Sequence, residues 1–345
     1  MREEWDKIWR PSDYHPDAHR EAWLQYHQAD TTQHHTQPAP VNPPPPQATQ
    51  DPAPSTATNT AEAWDRHSTA TPDGLPDYET FRQQLRNATG ACGLDGWTAE
   101  EARILANSMP ALALELYYTW ISTSRWAQHS DPLSDEATDL ANDLFALRTI
   151  GIPKRGSDTS RPISVGSLLA RSWMKACLTT VPPTPDFQWA GRRYTSVAQA
   201  IANWLASPAT AGAELDLAKA YDTVGFSVGT TALHAHGCPP AITALMGLSW
   251  GAVRYLSVSG TSPVATLPLR GLPQGCPMCG YTLAEILGPW KHHCTQAAPT
   301  TATWAFVDDG SLKVTEPHDL HLALAATTTF DKSIGLVNNT AKQQT

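Results

Sequence analysis

In Trp304-Ala305-Phe306-Val307-Asp308-Asp309-Gly310-Ser311-Leu312-Lys313-Val314, two short apolar runs meet at Asp-Asp-Gly. Asp-Gly between β-forming runs is hairpin chemistry, because these residue types accept the backbone angles a tight turn demands. Such a turn needs one Asp followed by Gly. The second carboxylate is surplus to it and repels the first unless water or a cation screens the pair. A plain β-turn explains everything in this stretch except that extra acid.

Upstream lies Ala213-Glu214-Leu215-Asp216-Leu217-Ala218-Lys219-Ala220-Tyr221-Asp222. An apolar strand delivers Asp216 at its end and a helical turn starts directly afterwards. A carboxylate on a rigid strand end can hold a hard cation; the ordinary alternative is a helix N-cap. Between the two acidic stretches, Arg270-Gly271-Leu272-Pro273-Gln274-Gly275-Cys276-Pro277 forms a loop running into an apolar helix. Its glycines let backbone approach a substrate, and Gln274 can both donate and accept hydrogen bonds. The alternative is a simple loop with proline at a helix start. Taken together, Asp216, Asp308 and Asp309 are carboxylates from two strand ends, the ligand set that a pair of Mg2+ ions uses in phosphoryl transfer.

The surrounding pattern implies an α+β or α/β class. From Asp143 onward, short apolar runs alternate with helical stretches at 167–178, 196–205, 227–236, 240–250, 281–294 and 317–333. Thr98 with Glu101 has the capping-box spacing of a helix start, and a further helix is predicted over 111–126. The chain of 345 residues divides by composition into three parts. Residues 1–29 hold short helices broken near Pro11 and Pro16. Residues 30–74, rich in Pro, Thr and Gln, lack the apolar surface to offset ordering entropy and read as a disordered linker. Residues 75–345 have the hydrophobic content of a folded domain.

A net charge of −9 argues against nucleic-acid binding through overall basicity. Local clusters at Lys154, Arg155, Arg161 and Arg171, and at Arg192 and Arg193, leave room for a basic groove. Six cysteines without an apolar leader at the charged N-terminus point to free thiols and an intracellular protein with no membrane association. Cys276 and Cys279, with His292, His293 and Cys294, have the ligand types of a zinc site but not a standard finger spacing.

Asp-x-x-x-Ala-Tyr-Asp, Gly-Leu-Pro-Gln-Gly-Cys-Pro and Phe-Val-Asp-Asp, in this order, resemble the successive palm motifs of reverse transcriptases. Ile152-Pro153-Lys154 with Arg161-Pro162-Ile163 is similar to the fingers motif of the non-LTR retrotransposon and group II intron branches. Gly93-Leu94-Asp95-Gly96-Trp97, and Gly335-Leu336 with Asn339 and Lys342, extend the likeness over residues 77–345.

The resemblance implies the α+β class, as a right-hand polymerase fold of fingers and antiparallel palm sheet, ending before a thumb and lacking an endonuclease ahead of the linker. It implies RNA-directed DNA polymerase activity on an RNA template, a DNA primer and dNTP, with two Mg2+ ions or Mn2+ in their place. Asp216 and Asp308 would bind both metals, with Asp309 adjacent and the Leu217 carbonyl as a further ligand. Tyr221 would be the steric gate against a ribose 2′-hydroxyl, or else a core aromatic. Lys154 and Arg161 would hold the triphosphate, or else lie on a solvated loop. Gln274 would contact the incoming nucleotide, and Lys342 would assist pyrophosphate or fray at the terminus. Met278-Cys279-Gly280 departs from the family's Leu-Ser-Pro and bears on how that helix starts. The sequence does not decide between nucleus and cytoplasm; an active retroelement protein of this kind would work in the nucleus. The alternatives are a catalytically silent nucleic-acid-binding remnant and an RNA-dependent RNA polymerase, the latter disfavoured by Tyr221.

Overall fold

The run Ser160–Val165 alternates buried and more exposed side chains, the period-two pattern that gives a strand one face to bury. Runs of this kind pair into two separate sheets wrapped by helices. The computed structural model describes residues 2–34, 70–153, 160–188, 197–257 and 264–339.

In chain order, α1 (Arg2–Trp9), α2 (Pro16–His34), α3 (Tyr78–Arg86), α4 (Ala99–Ser108), α5 (Pro110–His129) and α6 (Asp135–Phe145) precede the first strands. Next come β1 (Leu147–Pro153), β2 (Ser160–Val165), α7 (Leu168–Cys177), α8 (Val197–Ala206) and β3 (Ala211–Asp216). They are followed by α9 (Ala220–Thr223), α10 (Phe226–Ala235), α11 (Pro240–Gly251), β4 (Arg254–Ser257) and β5 (Val264–Thr266). The described chain closes with α12 (Pro277–Ile286), α13 (Gly288–Ala297), β6 (Ala302–Phe306), β7 (Asp309–Val314) and α14 (Pro317–Ser333). No helix among the described residues is long and apolar enough to cross a membrane.

One sheet has the order β2-β1-β4-β5, with β1 and β4 parallel. The other, β3-β7-β6, is antiparallel throughout and packs α13 and α14 against it. A continuous apolar core joins the β3-β7-β6 sheet to the helices, with Trp173 stacked on Trp120 at 6.2 Å and met edge-on by Phe81 at 5.6 Å. Leu256 of the other sheet packs in a second, small cluster with Trp5 and Trp9. The predicted capping box is present: Glu101 N donates to the Thr98 hydroxyl, and Thr98 N donates to the Glu101 carboxylate at 2.8 Å.

Several boundaries differ from the sequence reading. The helix that begins at Pro16 continues to His34, beyond residue 29, because its second half also packs on the body of the protein: Trp23 Nε1 donates to Ile286 O at 2.8 Å, Tyr26 meets His293 edge-on and Asp30 lies 3.5 Å from His292. At the far end of the expected linker, Thr71 N donates to Leu75 O and anchors the fully buried Leu75. The intervening 35–69 lie outside the described residues. The single helix expected over 281–294 is two, parted at Leu287-Gly288-Pro289, since proline ends the hydrogen-bond ladder of the helix before it and serves as the start of the next. The first of them begins at Pro277, so Met278-Cys279-Gly280 leaves the helix start intact and buries Met278 and Cys279.

Where α2 meets α12, His27 lies stacked on Trp23 and 5.3 Å from His236, whose Nδ1 is 3.1 Å from the Glu285 carboxylate. Burial raises the Glu285 pKa from its ordinary 4.5 to about 8, partly offset by the Tyr281 hydroxyl, and lowers that of His236 to about 4. A carboxyl raised in the folded state contributes stability that is complete below pH 4.5 and is lost as pH climbs towards 8. Glu285→Gln is therefore expected to melt higher than wild type at pH 8.5 and at the same temperature at pH 4, read by thermal denaturation at the two pH values. His236 acts in the opposite sense at lower pH and is common to both proteins.

Candidate active site

β3 and β7 pair antiparallel with Asp216 directly opposite Asp309, and β6 and β7 pair with Phe306 opposite Asp309. The hairpin loop is thus Val307-Asp308, two residues earlier than Asp-Gly chemistry predicts. Gly310 lies inside the sheet, where a Cβ would stand 3.4 Å from the Trp290 ring and 3.5 Å from Leu215. Val307 has φ +61°, a left-handed conformation that a β-branched residue adopts at a cost of about 1–3 kcal/mol. Gln188, 1% exposed, holds it there: Val307 N donates to Gln188 Oε1 at 2.9 Å and Gln188 Nε2 donates to Val307 O at 3.1 Å. Sequence reasoning missed Gln188, since nothing local marks a glutamine as the clamp for a hairpin 119 residues away.

The end of β3 is fixed with comparable care. Asn339 N donates to Asp216 O and its side-chain amide donates to Asp216 Oδ2, both at 2.8 Å. Ala218 N donates to Val337 O at 2.7 Å, and Leu217 forms a bridge with Asn338.

Asp216, Leu217, Asp308 and Asp309 border one open cavity of about 1000 Å3, together with Arg161, Tyr221 and Gln274. Burial raises the Asp308 pKa, as do Asp309 and Asp216, while its own backbone N–H and Arg161 pull it down. Asp308 therefore feels the other two acids and Arg161 across the cavity. Burial pushes the Tyr221 phenol well above its usual range, with the Asp308 charge adding to the effect. Lys154 and Lys342 lie outside the described residues.

Gln274 is held from below. Its Nε2 donates to Asp222 Oδ2 at 2.7 Å, and its carbonyl accepts from Ser164 N at 2.7 Å. Asp222, 2% exposed, also accepts from Trp9 Nε1 at 3.1 Å. Burial raises the Asp222 pKa to about 6, opposed by Trp9, the fully buried Arg254 and Gln274. The Arg254 guanidinium lies 4.7 Å over the Trp9 ring and donates to Gly271 O. Asp222 stood inside a quoted motif, whereas Arg254 and Trp9 carried no signal beyond an isolated charge and a tryptophan in a charged helix.

Carboxylate oxygens are the donors that Mg2+ prefers. Among the described residues, however, no three His, Cys, Asp or Glu side chains are drawn together closely enough to hold a metal ion. The same holds for the zinc ligand set read from sequence: Cys276 and Cys279 interact with each other, while the downstream members have other partners. Cys294 pairs with Thr327, His292 with Asp30, and His293 packs on Tyr26.

A mixed helix-and-sheet domain carrying acids at adjoining strand ends over a cleft has the make-up of a polymerase palm-like domain. The family model for reverse transcriptase (RNA-dependent DNA polymerase) matches residues 152–345, more than half of the chain, and the chain belongs to this family. No curated protein matches the sequence.

Proposed function

We propose that the protein is an RNA-directed DNA polymerase of the non-LTR retrotransposon kind, with β3-β7-β6 as its palm sheet and β1 and β2 in its fingers. The observation that carries this reading is the strand register, which sets Asp216 against Asp309 with Asp308 in the adjoining loop. Carboxylates are hard donors that suit Mg2+ in kind, and these border one cavity. Asp216 and Asp308 would hold the ions, with Asp309 and the Leu217 carbonyl beside them. When bound, such ions acidify a primer 3′-hydroxyl and neutralise the triphosphate and departing pyrophosphate.

The chain's own residues do the positioning. Asn339 orients the Asp216 carboxylate, and Gln188 keeps the Asp308 loop in its strained form. Arg161 would receive the triphosphate through its planar donor fork, with Lys154 and Lys342 assigned to phosphate by resemblance. Gln274 faces the nucleotide from a base built on Asp222.

Full-length protein with poly(rA)/oligo(dT), dTTP and Mg2+ is expected to extend the primer and to stop on addition of EDTA. Absence of metal-dependent incorporation contradicts the enzyme reading. Retained primer-template binding would then support the second one, a silent nucleic-acid-binding remnant, which the ungathered carboxylates favour. Tyr221 tests the sugar preference: Tyr221→Ala is expected to improve rUTP use relative to dTTP by roughly tenfold or more, the scale of a pocket steric contact. Wild-type preference for rUTP removes the steric-gate role.

A further inference from the structure

The site residues carried by the motifs all lie beyond residue 150, yet the N-terminal helix α1 reaches the same cavity. Trp5 borders it, buried, with its ring 5.6 Å from that of Trp9 one turn later and 4.7 Å beneath the Lys219 ammonium. The last carbonyls of a helix have no partner within it. In α1 they are taken by the loop that leads to Gln274. Leu269 N donates to Trp9 O at 2.9 Å and Arg270 Nε donates to Ile8 O at 2.6 Å. Farther along the same contact, the Thr266 hydroxyl donates to the Asp6 carboxylate at 3.2 Å.

Trp9 does two electrostatic tasks at once. Its indole N–H satisfies one oxygen of Asp222 while Gln274 takes the other, and its ring faces the Arg254 guanidinium. Gly271 makes this approach feasible: its φ is +100°, and a Cβ there would stand 2.9 Å from Asp222 O and 3.2 Å from the Trp9 ring. Without the Trp9 N–H, one buried carboxylate oxygen loses its donor, and Asp222 is free to turn away from Gln274.

We infer that α1 is a working part of the nucleotide site, with Trp9 a positioning residue that fixes Gln274 through Asp222. The inference rests on the polymerase reading for its kinetic consequence and on geometry alone for its structural one. Trp9→Phe deletes the N–H and keeps an aromatic ring against Arg254. In the full chain it is expected to raise KM for dTTP about fivefold with kcat changed less than twofold. On a Gln274→Ala background the same substitution should add nothing further. Trp9→His, which retains a ring N–H, should recover part of the loss and serves as the second variant if the phenylalanine protein folds poorly.

Amide hydrogen exchange supplies a readout independent of activity. Residues 271–276 should exchange at least tenfold faster in Trp9→Phe than in wild type. Unchanged exchange there, or an effect on KM that is undiminished in the Gln274→Ala background, overturns the positioning role. If wild type fails to extend a primer while the exchange change is present, the polymerase reading has failed and the positioning inference stands.

Discussion

Asp308→Ala is expected to lower dTTP incorporation about 10^3-fold, the rate equivalent of roughly 4 kcal/mol of transition-state stabilisation, with no loss of folded stability. Asp308 occupies a hairpin loop whose backbone is held by Gln188 through Val307, so truncating its side chain leaves the clamp in place. Its raised pKa, caused first by burial and also by Asp309 and Asp216, means that its charged form is a burden to the fold. Removing it relieves that burden. An unchanged or slightly higher melting temperature combined with lost incorporation would mark a residue kept for chemistry at the expense of stability. A variant with near wild-type rates would show that Asp308 takes no part in the reaction.

Asp222→Ala should have the largest effect on stability. It removes the carboxylate whose charge acts on Arg254, which is 0% exposed and has Trp250 O, Gly271 O and the Trp9 face around its guanidinium. The two charges act on each other through the interior without a direct ion pair, and removing the carboxylate leaves the buried guanidinium without that countercharge, at about 3 kcal/mol. Urea denaturation is the measurement, with the double variant Asp222→Ala/Arg254→Met as the decisive comparison. The double variant is expected to be more stable than the single one, because methionine fills the space without a charge. Equal destabilisation of the two would assign the effect to lost packing. A loss under 1 kcal/mol from the single substitution would mean that water reaches Arg254.

Elements with strong local codes were legible before the fold was seen. Thr98 and Glu101 announce a helix start because both halves of the capping box lie within one turn, and β2 falls on a short apolar run, although its buried face turns out to be Ser160, Pro162 and Ser164. α6 was missed: its buried stripe is Ala137, Ala141 and Phe145 among acids, a face too small to register as amphipathic. The hairpin was legible but its turn was misplaced, since Asp-Gly is a local preference, whereas the tertiary register places Gly310 opposite Leu215 inside the sheet and Gln188 clamps Val307 in the loop.

The three acids were readable at the site because each sits at the end of an apolar run. The support beneath them was not. Trp9 and Asp222 meet across 213 residues of sequence, and a tertiary hydrogen bond of that span leaves no periodicity or spacing to detect. Composition separated the N-terminal helices from the rest of the chain. Packing joined them, through Trp23 in the main core and Trp9 beneath the cavity.

Crystals of the full chain grown with primer-template, dTTP and Mn2+, examined by anomalous scattering, test the assignment of the carboxylates at its source. Manganese peaks within coordination distance of both Asp216 and Asp308 are the expected result, with the side chains drawn together from their present positions. Manganese bound elsewhere, with Asp216 still turned to Asn339 and Asp308 without a cation, would contradict a metal-dependent polymerase centre at these strand ends.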